Sequence, residues 1–163
     1  AEHPKGTAYA HLLRDLRRYP ILRDSRGTVL SMPPIINSEA TKVTIASRRL
    51  FIDVTGLARR VVERTLNIIV TSLLENLPGA RAQAVEIVGP GPDVMRRTPD
   101  FSLQELHIAP SHAARTLGVP VSTADAVTLL RRMRHDAEAV GADQVRVGVP
   151  PYRNDILHEI DLI

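Results

Sequence analysis

The chain has 163 residues, 44% of them hydrophobic, enough to bury a core in one ordinary domain or two small ones. No cysteine is present, which excludes disulfide frameworks, thiol nucleophiles and cysteine-ligated zinc or iron–sulfur sites. Net charge is +3, yet 19 of the 21 cationic residues are arginine, a balance that permits nucleic-acid contact without requiring it. With aromatics at 3% and no tryptophan, stacking platforms for single strands are not expected. Apolar stretches are interrupted well before the ~20 residues of a bilayer span, and no charged-then-apolar leader opens the sequence, so an intracellular chain with no membrane contact is expected.

Thr7 is positioned to cap a helix running to Arg18, with Ala10, Leu13 and Leu16 at three-residue spacing and Pro20 as its stop. A hairpin follows, Ile21 to Asp24 and Thr28 to Met32, around Ser25-Arg26-Gly27. Pro33-Pro34 ends its second strand, because proline has no backbone donor, and a loop runs from Ile35 to Thr41. Beyond a short extended piece at Val43, Leu50 to Thr55 reads as a strand and Leu57 to Leu77 as a long amphipathic helix. Its core stripe is Ala58, Val62, Leu66, Ile69, Leu73 and Leu77, and Pro78-Gly79 closes it. Ala82 to Val88 and Val94 to Thr98 read as strands joined by a Gly89-Pro90-Gly91-Pro92-Asp93 turn, a run that lacks any phosphate-loop pattern.

A domain seam is placed near residues 95–102. Beyond it the pattern gives a strand (Leu103 to Ile108), a helix (Pro110 to Leu117, stopped by Gly118) and a helix from Thr123 to Arg134. Ser122 and Asp125 stand at capping-box spacing before the latter. A hairpin follows, Asp136 to Val140 and Val145 to Val149, and a helix begins near Ile156 with no stop signal at Ile163, as in a piece of a longer chain. The expected fold class is α+β. A mixed sheet with packed helices comes first, then a small α+β domain with a helix–turn–helix-like pair.

Four groups of residues carry candidate chemistry. Asp53 and Thr55 share one face of an apolar strand, either to cap the helix that follows or to form a pocket wall. The arm Leu30-Ser31-Met32-Pro33-Pro34-Ile35-Ile36-Asn37 is stiffened by two prolines and offers Ser31 and Asn37 to a cleft, or is merely an edge strand. Arg115, Arg131, Arg132 and Arg134 surround the helix pair, as in nucleic-acid contact or an ordinary solvated surface. Asp155, His158, Glu159 and Asp161 crowd the last segment, either as hard-oxygen ligands for Mg²⁺ or as acids at a helix start. Position 162 is Leu, so His158-Glu159 does not begin a zinc-protease motif.

Two stretches, LRDSRGTVLSMPPIINSEATKV with the following LFIDVTG, and VPPYRNDILHEIDLI, resemble the β chain of phenylalanyl-tRNA synthetases of the archaeal and eukaryotic cytosolic type. The resemblance runs from about residue 12 to the end. It implies that residues 1–97 are the later part of a B3/B4 editing domain and 98–163 a B5 domain. It also implies a cytoplasmic α₂β₂ enzyme that joins phenylalanine to its tRNA with ATP and Mg²⁺, the aminoacylation site and ATP lying with the α subunit. The β chain's editing domain would hydrolyse tyrosine misattached to that tRNA. Carried over by position, the editing pocket falls on Leu22, Ser31, Asp53 and Thr55, with Pro33 and Asn37 added by proximity. No residue is assigned a catalytic role. Shared Mg²⁺ contacts fall on Asp155 and Asp161, with further ligands beyond Ile163. The competing expectation is a non-catalytic structural and RNA-binding module.

Overall fold

A computed structural model describes residues 3–89 and 95–163. The turn expected at Gly89-Pro90-Gly91-Pro92-Asp93 falls largely outside the described residues, as does Val94. The contacts divide the chain into two compact units, Ala1–Thr55 and Gly56–Ile163. That division follows packing within this chain.

The first unit opens with helix α1 (Pro4–Tyr9), continued by a 3₁₀ turn at Ala10–Leu13. Pro4 stands in its first turn and His3, not Thr7, caps it, the ring accepting from the Lys5 N–H. The helix expected to reach Arg18 stops short, and the reason is in the pattern. Apolar residues at strict three-residue spacing match the three residues per turn of a 3₁₀ helix better than 3.6.

Strands β1 (Leu22–Arg23), β2 (Val29–Met32) and β3 (Ile36–Asn37) then form an antiparallel sheet in chain order. Gly27 supplies φ +86° in the β1–β2 turn, where Asp24 accepts from the backbone N–H groups of Arg26 and Thr28. The sequence pattern treated β3 as loop. Pro33-Pro34 folds the chain back tightly enough for Met32 to pair Ile36. The strand expected at Leu50 to Thr55 has no ladder partner among the described residues. Period-2 patterning specifies which side chains share a face, whereas a strand needs a second backbone to bond.

In the second unit, helix α2 (Arg59–Asn76) replaces the expected Leu57–Leu77 almost residue for residue. Its buried face differs from the expected stripe: Asn67 and Val70 are buried while Ile69, expected in the stripe, keeps 37% of its surface exposed. The cause is polar packing. The Asn67 side-chain amide donates to the Asp100 carbonyl at 2.9 Å, and the Arg64 guanidinium donates to the carbonyls of Pro151 and Arg153. Strands β4 (Val85–Val88) and β5 (Met95–Thr98) form an antiparallel pair.

The remainder is a small α+β body. Strand β6 (Gln104–Ile108) is followed by helices α3 (Pro110–Leu117) and α4 (Thr123–Arg132), then by the hairpin β7 (Asp136–Gly141) and β8 (Gln144–Val149), and by the short helix α5 (Glu159–Leu162). The sheet order is β6-β8-β7, antiparallel throughout. Val145, Val147 and Val149 of the central strand are fully buried and, with Leu130, Ala137 and Ile156, make the core. Gly118 stops α3 at φ +73°, and Ser122 with Asp125 forms the expected capping box on α4. The fold class is α+β as expected, although every sheet is antiparallel where a mixed sheet was anticipated for the first part. No described helix is long and apolar enough to cross a membrane.

Candidate functional site

Leu22, Ser31 and Asn37 stand in one row across the first sheet. Leu22 is the ladder partner of Ser31, and Ser31 is the ladder partner of Asn37. Residues directly opposite in an antiparallel pair project from the same face, so three residues spread over 16 positions of sequence become one strip of aliphatic, hydroxyl and amide chemistry. Ser31 is buried at 8% exposure, and its Oγ has no hydrogen-bond partner among the described residues. Such a hydroxyl in a small sheet is costly unless something bonds it. Asn37 is exposed. Pro33 lies in the bend between β2 and β3 that makes the register possible.

Asp53 and Thr55 lie on the segment with no ladder partner. Burial alternates along it: Ile52 and Val54 are half-buried, while Phe51, Asp53 and Thr55 are exposed on the other side. The expected sharing of one face therefore holds locally. Helix capping does not, since Ala58 is the N-cap of α2 and receives no side-chain help. Asp53 takes part in no ion pair among the described residues.

The acidic terminal segment is otherwise engaged. Arg153 grips Asp155 with two hydrogen bonds of 2.8 and 2.6 Å, and this guanidinium holds the carboxyl well below its ordinary range, at about 2. The Asp161 carboxylate accepts from the backbone N–H groups of Leu157 and His158 at 2.9 and 2.8 Å, bonds that lower its pKa and start α5 later than the expected Ile156. As placed here, the pair does not fit a Mg²⁺ ion, because a cation would have to displace a bidentate arginine from one carboxylate and a helix cap from the other. No group of three or more metal-ligating side chains occurs among the described residues.

Glu159, one of the terminal acids in the sequence pattern, has a role that no local signal marks. Its carboxylate accepts from the Ala109 N–H at the start of α3 at 2.8 Å and meets His112 Nδ1 at 2.9 Å, tying the last helix to the first helix of the small body. Both interactions lower the Glu159 pKa, the backbone bond most. The arginines around the helix pair are partly occupied. Arg131 Nε donates to the Ala137 carbonyl at 2.9 Å, and Arg134 pairs weakly with Glu75 at 3.4 Å. Also missed was His135, buried at 6% exposure beside Arg153 and Asp155, whose pKa is lowered first by burial and then by the Arg153 charge.

Residues 106–163 match the tRNA synthetase B5 domain family. The chain is 41% identical to the phenylalanine–tRNA ligase β subunit of Methanosphaera stadtmanae over 99% of its own length and 28% of that protein's. For the Methanosarcina barkeri β subunit the figures are 42%, 99% and 29%, and for that of Pyrococcus furiosus 39%, 99% and 29%. The crystal structure of an N-terminal fragment of the phenylalanyl-tRNA synthetase β subunit from Pyrococcus horikoshii superposes with a TM-score of 0.90 at 36% identity, over 99% of this chain and 45% of that one. The chain thus spans under a third of the length of the curated relatives it matches. Sequence and fold agree in what they are similar to: residues 106–163 match the B5 domain family, and the chain as a whole is similar to one part of phenylalanyl-tRNA synthetase β subunits.

Proposed function

We propose that this chain supplies part of a proofreading pocket that hydrolyses tyrosine misattached to the tRNA for phenylalanine, together with a B5 module that docks tRNA or the α subunit of an α₂β₂ synthetase. On this reading residues 1–97 belong to the editing B3/B4 domain and 98–163 to B5. The cytoplasmic enzyme as a whole joins phenylalanine to tRNA with ATP and Mg²⁺. The observation that supports the reading best is the Leu22–Ser31–Asn37 row, with its buried, unpartnered Ser31 hydroxyl.

The chemistry follows from what distinguishes the two amino acids. Tyrosine carries one hydroxyl that phenylalanine lacks, and an apolar pocket resists such an addition by only ~10²-fold, whereas polar groups built to bond the hydroxyl discriminate by ~10⁴-fold or more. Ser31 Oγ offers a donor and acceptor for the phenolic O–H, Asn37 an amide beside it, and Leu22 an apolar edge against the ring. The reading also enlists Asp53 and Thr55, which the resemblance assigns to the same pocket. A water oxygen adds to the ester carbonyl carbon, and the bond to the ribose oxygen breaks. That oxygen leaves as the tRNA hydroxyl, carrying one proton of the water, and free tyrosine is released. No side chain is assigned as nucleophile, and the chain contains no thiol to take that role.

The test is deacylation of tyrosyl-tRNA for phenylalanine by the assembled synthetase, wild type beside Ser31→Ala and Asp53→Ala, with phenylalanyl-tRNA as control. Loss of tyrosine hydrolysis in both variants with aminoacylation intact supports the pocket. Undiminished hydrolysis in both removes it and leaves the binding-module reading.

A further inference from the structure

Residues 49–55 of the first unit, Arg-Leu-Phe-Ile-Asp-Val-Thr, carry a strand's side-chain pattern without a strand's hydrogen bonds. They join no ladder among the described residues, and no backbone N–H or carbonyl from Arg49 to Thr55 is hydrogen-bonded to any of them. Exposure nevertheless alternates with period two. Ile52 and Val54 are half-buried, while Phe51 at 66%, Asp53 and Thr55 stand exposed. Unpaired backbone donors and acceptors running beside apolar side chains form a template on which another strand can add.

The order of the side chains says which strand that is. By alternation Arg49 shares the exposed face with Phe51 and Asp53, so a cation and an anion stand symmetrically about an aromatic ring. Neither Arg49 nor Asp53 forms an ion pair among the described residues. Antiparallel pairing reverses the order of residues, which makes this segment complementary to itself. With Phe51 opposite its own copy, Arg49 faces Asp53 of the second copy and Asp53 faces Arg49 of the second copy. Leu50 and Ile52 then pair crosswise on the other face. A shift of the two-fold axis by one residue removes the match. Centred on Ile52, the pairing sets Phe51 against a carboxylate and Arg49 against Thr55. Centred on Asp53, it brings two carboxylates face to face, which is destabilising.

We propose that two copies of this chain associate through residues 49–53, antiparallel about a two-fold axis at Phe51, with reciprocal Arg49–Asp53 ion pairs on either side of it. The contact is isologous, so every favourable pair off the axis occurs twice. A ladder this short buries well below the ~1,200 Å² of stable interfaces, which makes the dimer weak and reversible, with Kd on the order of 100 μM. Asp53 also figures in the proposed editing pocket, but the association does not rest on that reading. Its test reads mass and crosslinking instead of deacylation, so the two fail separately.

The experiment is analytical ultracentrifugation of the full chain over a concentration series that brackets that Kd, at low and high salt. The wild type is run beside Arg49→Asp, Asp53→Arg and the double variant, with circular dichroism to establish that each is folded. The wild type dimerises as concentration rises, less so at high salt. Each single reversal turns two attractions into two repulsions and weakens dimerisation by about 10-fold or more. The double variant exchanges the charges within one chain and recovers to within about 3-fold of the wild type. A second measurement does not depend on the charges. The chain has no cysteine, so Phe51→Cys supplies a single thiol per copy, and the axis holds the two within disulfide reach. Mild oxidation crosslinks Phe51→Cys, whereas Thr55→Cys, far from the axis, stays monomeric on a non-reducing gel. A wild type that is monomeric throughout the series overturns the proposal. So does a dimer indifferent to both reversals, one that the double variant fails to restore, or crosslinking of Thr55→Cys in preference to Phe51→Cys, each of which places the contact on another surface.

Discussion

Ser31 faces Asn37 directly across the β2–β3 ladder, and the hydroxyl of the pair is buried while the amide is exposed. On the proposed pocket, a substrate hydroxyl reaching this row would meet one group already stripped of water and another still solvated. Ser31→Ala, which removes the orphaned hydroxyl, is expected to leave the sheet about as stable, because a buried unpaired polar atom is removed with it. In the assembled synthetase it should slow tyrosyl-tRNA deacylation by 10-fold or more. Thermal denaturation and a deacylation time course read the two effects separately.

Glu159 supplies a second expectation. Its carboxylate bonds the Ala109 N–H and the His112 ring, contacts 50 and 47 residues away in sequence. Glu159→Gln keeps an acceptor for Ala109 but gives up the charge, and should cost about 1 kcal/mol, as expected for a half-exposed charge-assisted bond. Glu159→Ala should cost more and speed amide exchange at the start of α3. Urea denaturation and hydrogen exchange check both.

The Arg153–Asp155 pair fixes a sign for pH dependence. Asp155 titrates at about 2 in the folded chain, below its ordinary 3.8. Its stabilising contribution is therefore complete above about pH 4 and lost as pH falls toward 2. Because its side chain is 63% exposed, solvent screening limits the effect to on the order of 1 kcal/mol or less. Arg153→Gln should flatten stability between pH 4 and 2, and NMR titration of the Asp155 carboxyl should return it to the ordinary range. The same substitution frees Asp155 as an oxygen ligand. Calorimetry with Mg²⁺ should detect binding only in the variant, since the wild-type carboxylate is already occupied.

Core substitutions should separate the two faces of β8. Val147 is fully buried between β6 and β7, and Val147→Ala is expected to cost about 2 kcal/mol in lost burial and cavity. Gly148 points the other way, where an added Cβ would meet Leu103 Cδ1 at 2.7 Å and Asp136 Cβ at 3.2 Å. Gly148→Ala should cost about 1 kcal/mol by crowding, and Leu103→Ala should relieve most of that in the double variant. Chemical denaturation of the four variants measures the coupling.

Local signals in the sequence read through to the structure wherever the cause was itself local. Gly118 ends α3 because only a residue at ease with positive φ closes that turn, and Ser122 with Asp125 starts α4 because their side chains satisfy adjacent backbone groups. Legibility failed where the cause was distant. Leu50 to Thr55 alternates as a strand should, but alternation says nothing about whether a second backbone lies alongside. Asn67 sits between Leu66 and Ile68, so periodicity placed Ile69 in the core. The amide is buried instead because the Asp100 carbonyl, 33 residues on, takes its N–H. For the candidate site, Ser31 and Asn37 stood out as polar residues in an apolar arm, whereas their facing one another depends on a chain reversal at Pro33-Pro34 that composition does not reveal.

The sheet of the small body is ordered β6-β8-β7, so the middle strand is the last of the three to leave the ribosome. The β7–β8 hairpin closes over a two-residue connection, but β6 must wait, its Gln104 pairing with Val149 across 45 positions. Until β8 is made, both outer strands lack the neighbour they share, and Ile108 lacks Val145 and Val147 of the core it packs into. A nascent chain paused before Val145 therefore presents an apolar strand with an open edge, the stage at which chaperone capture or proteolysis competes best with folding.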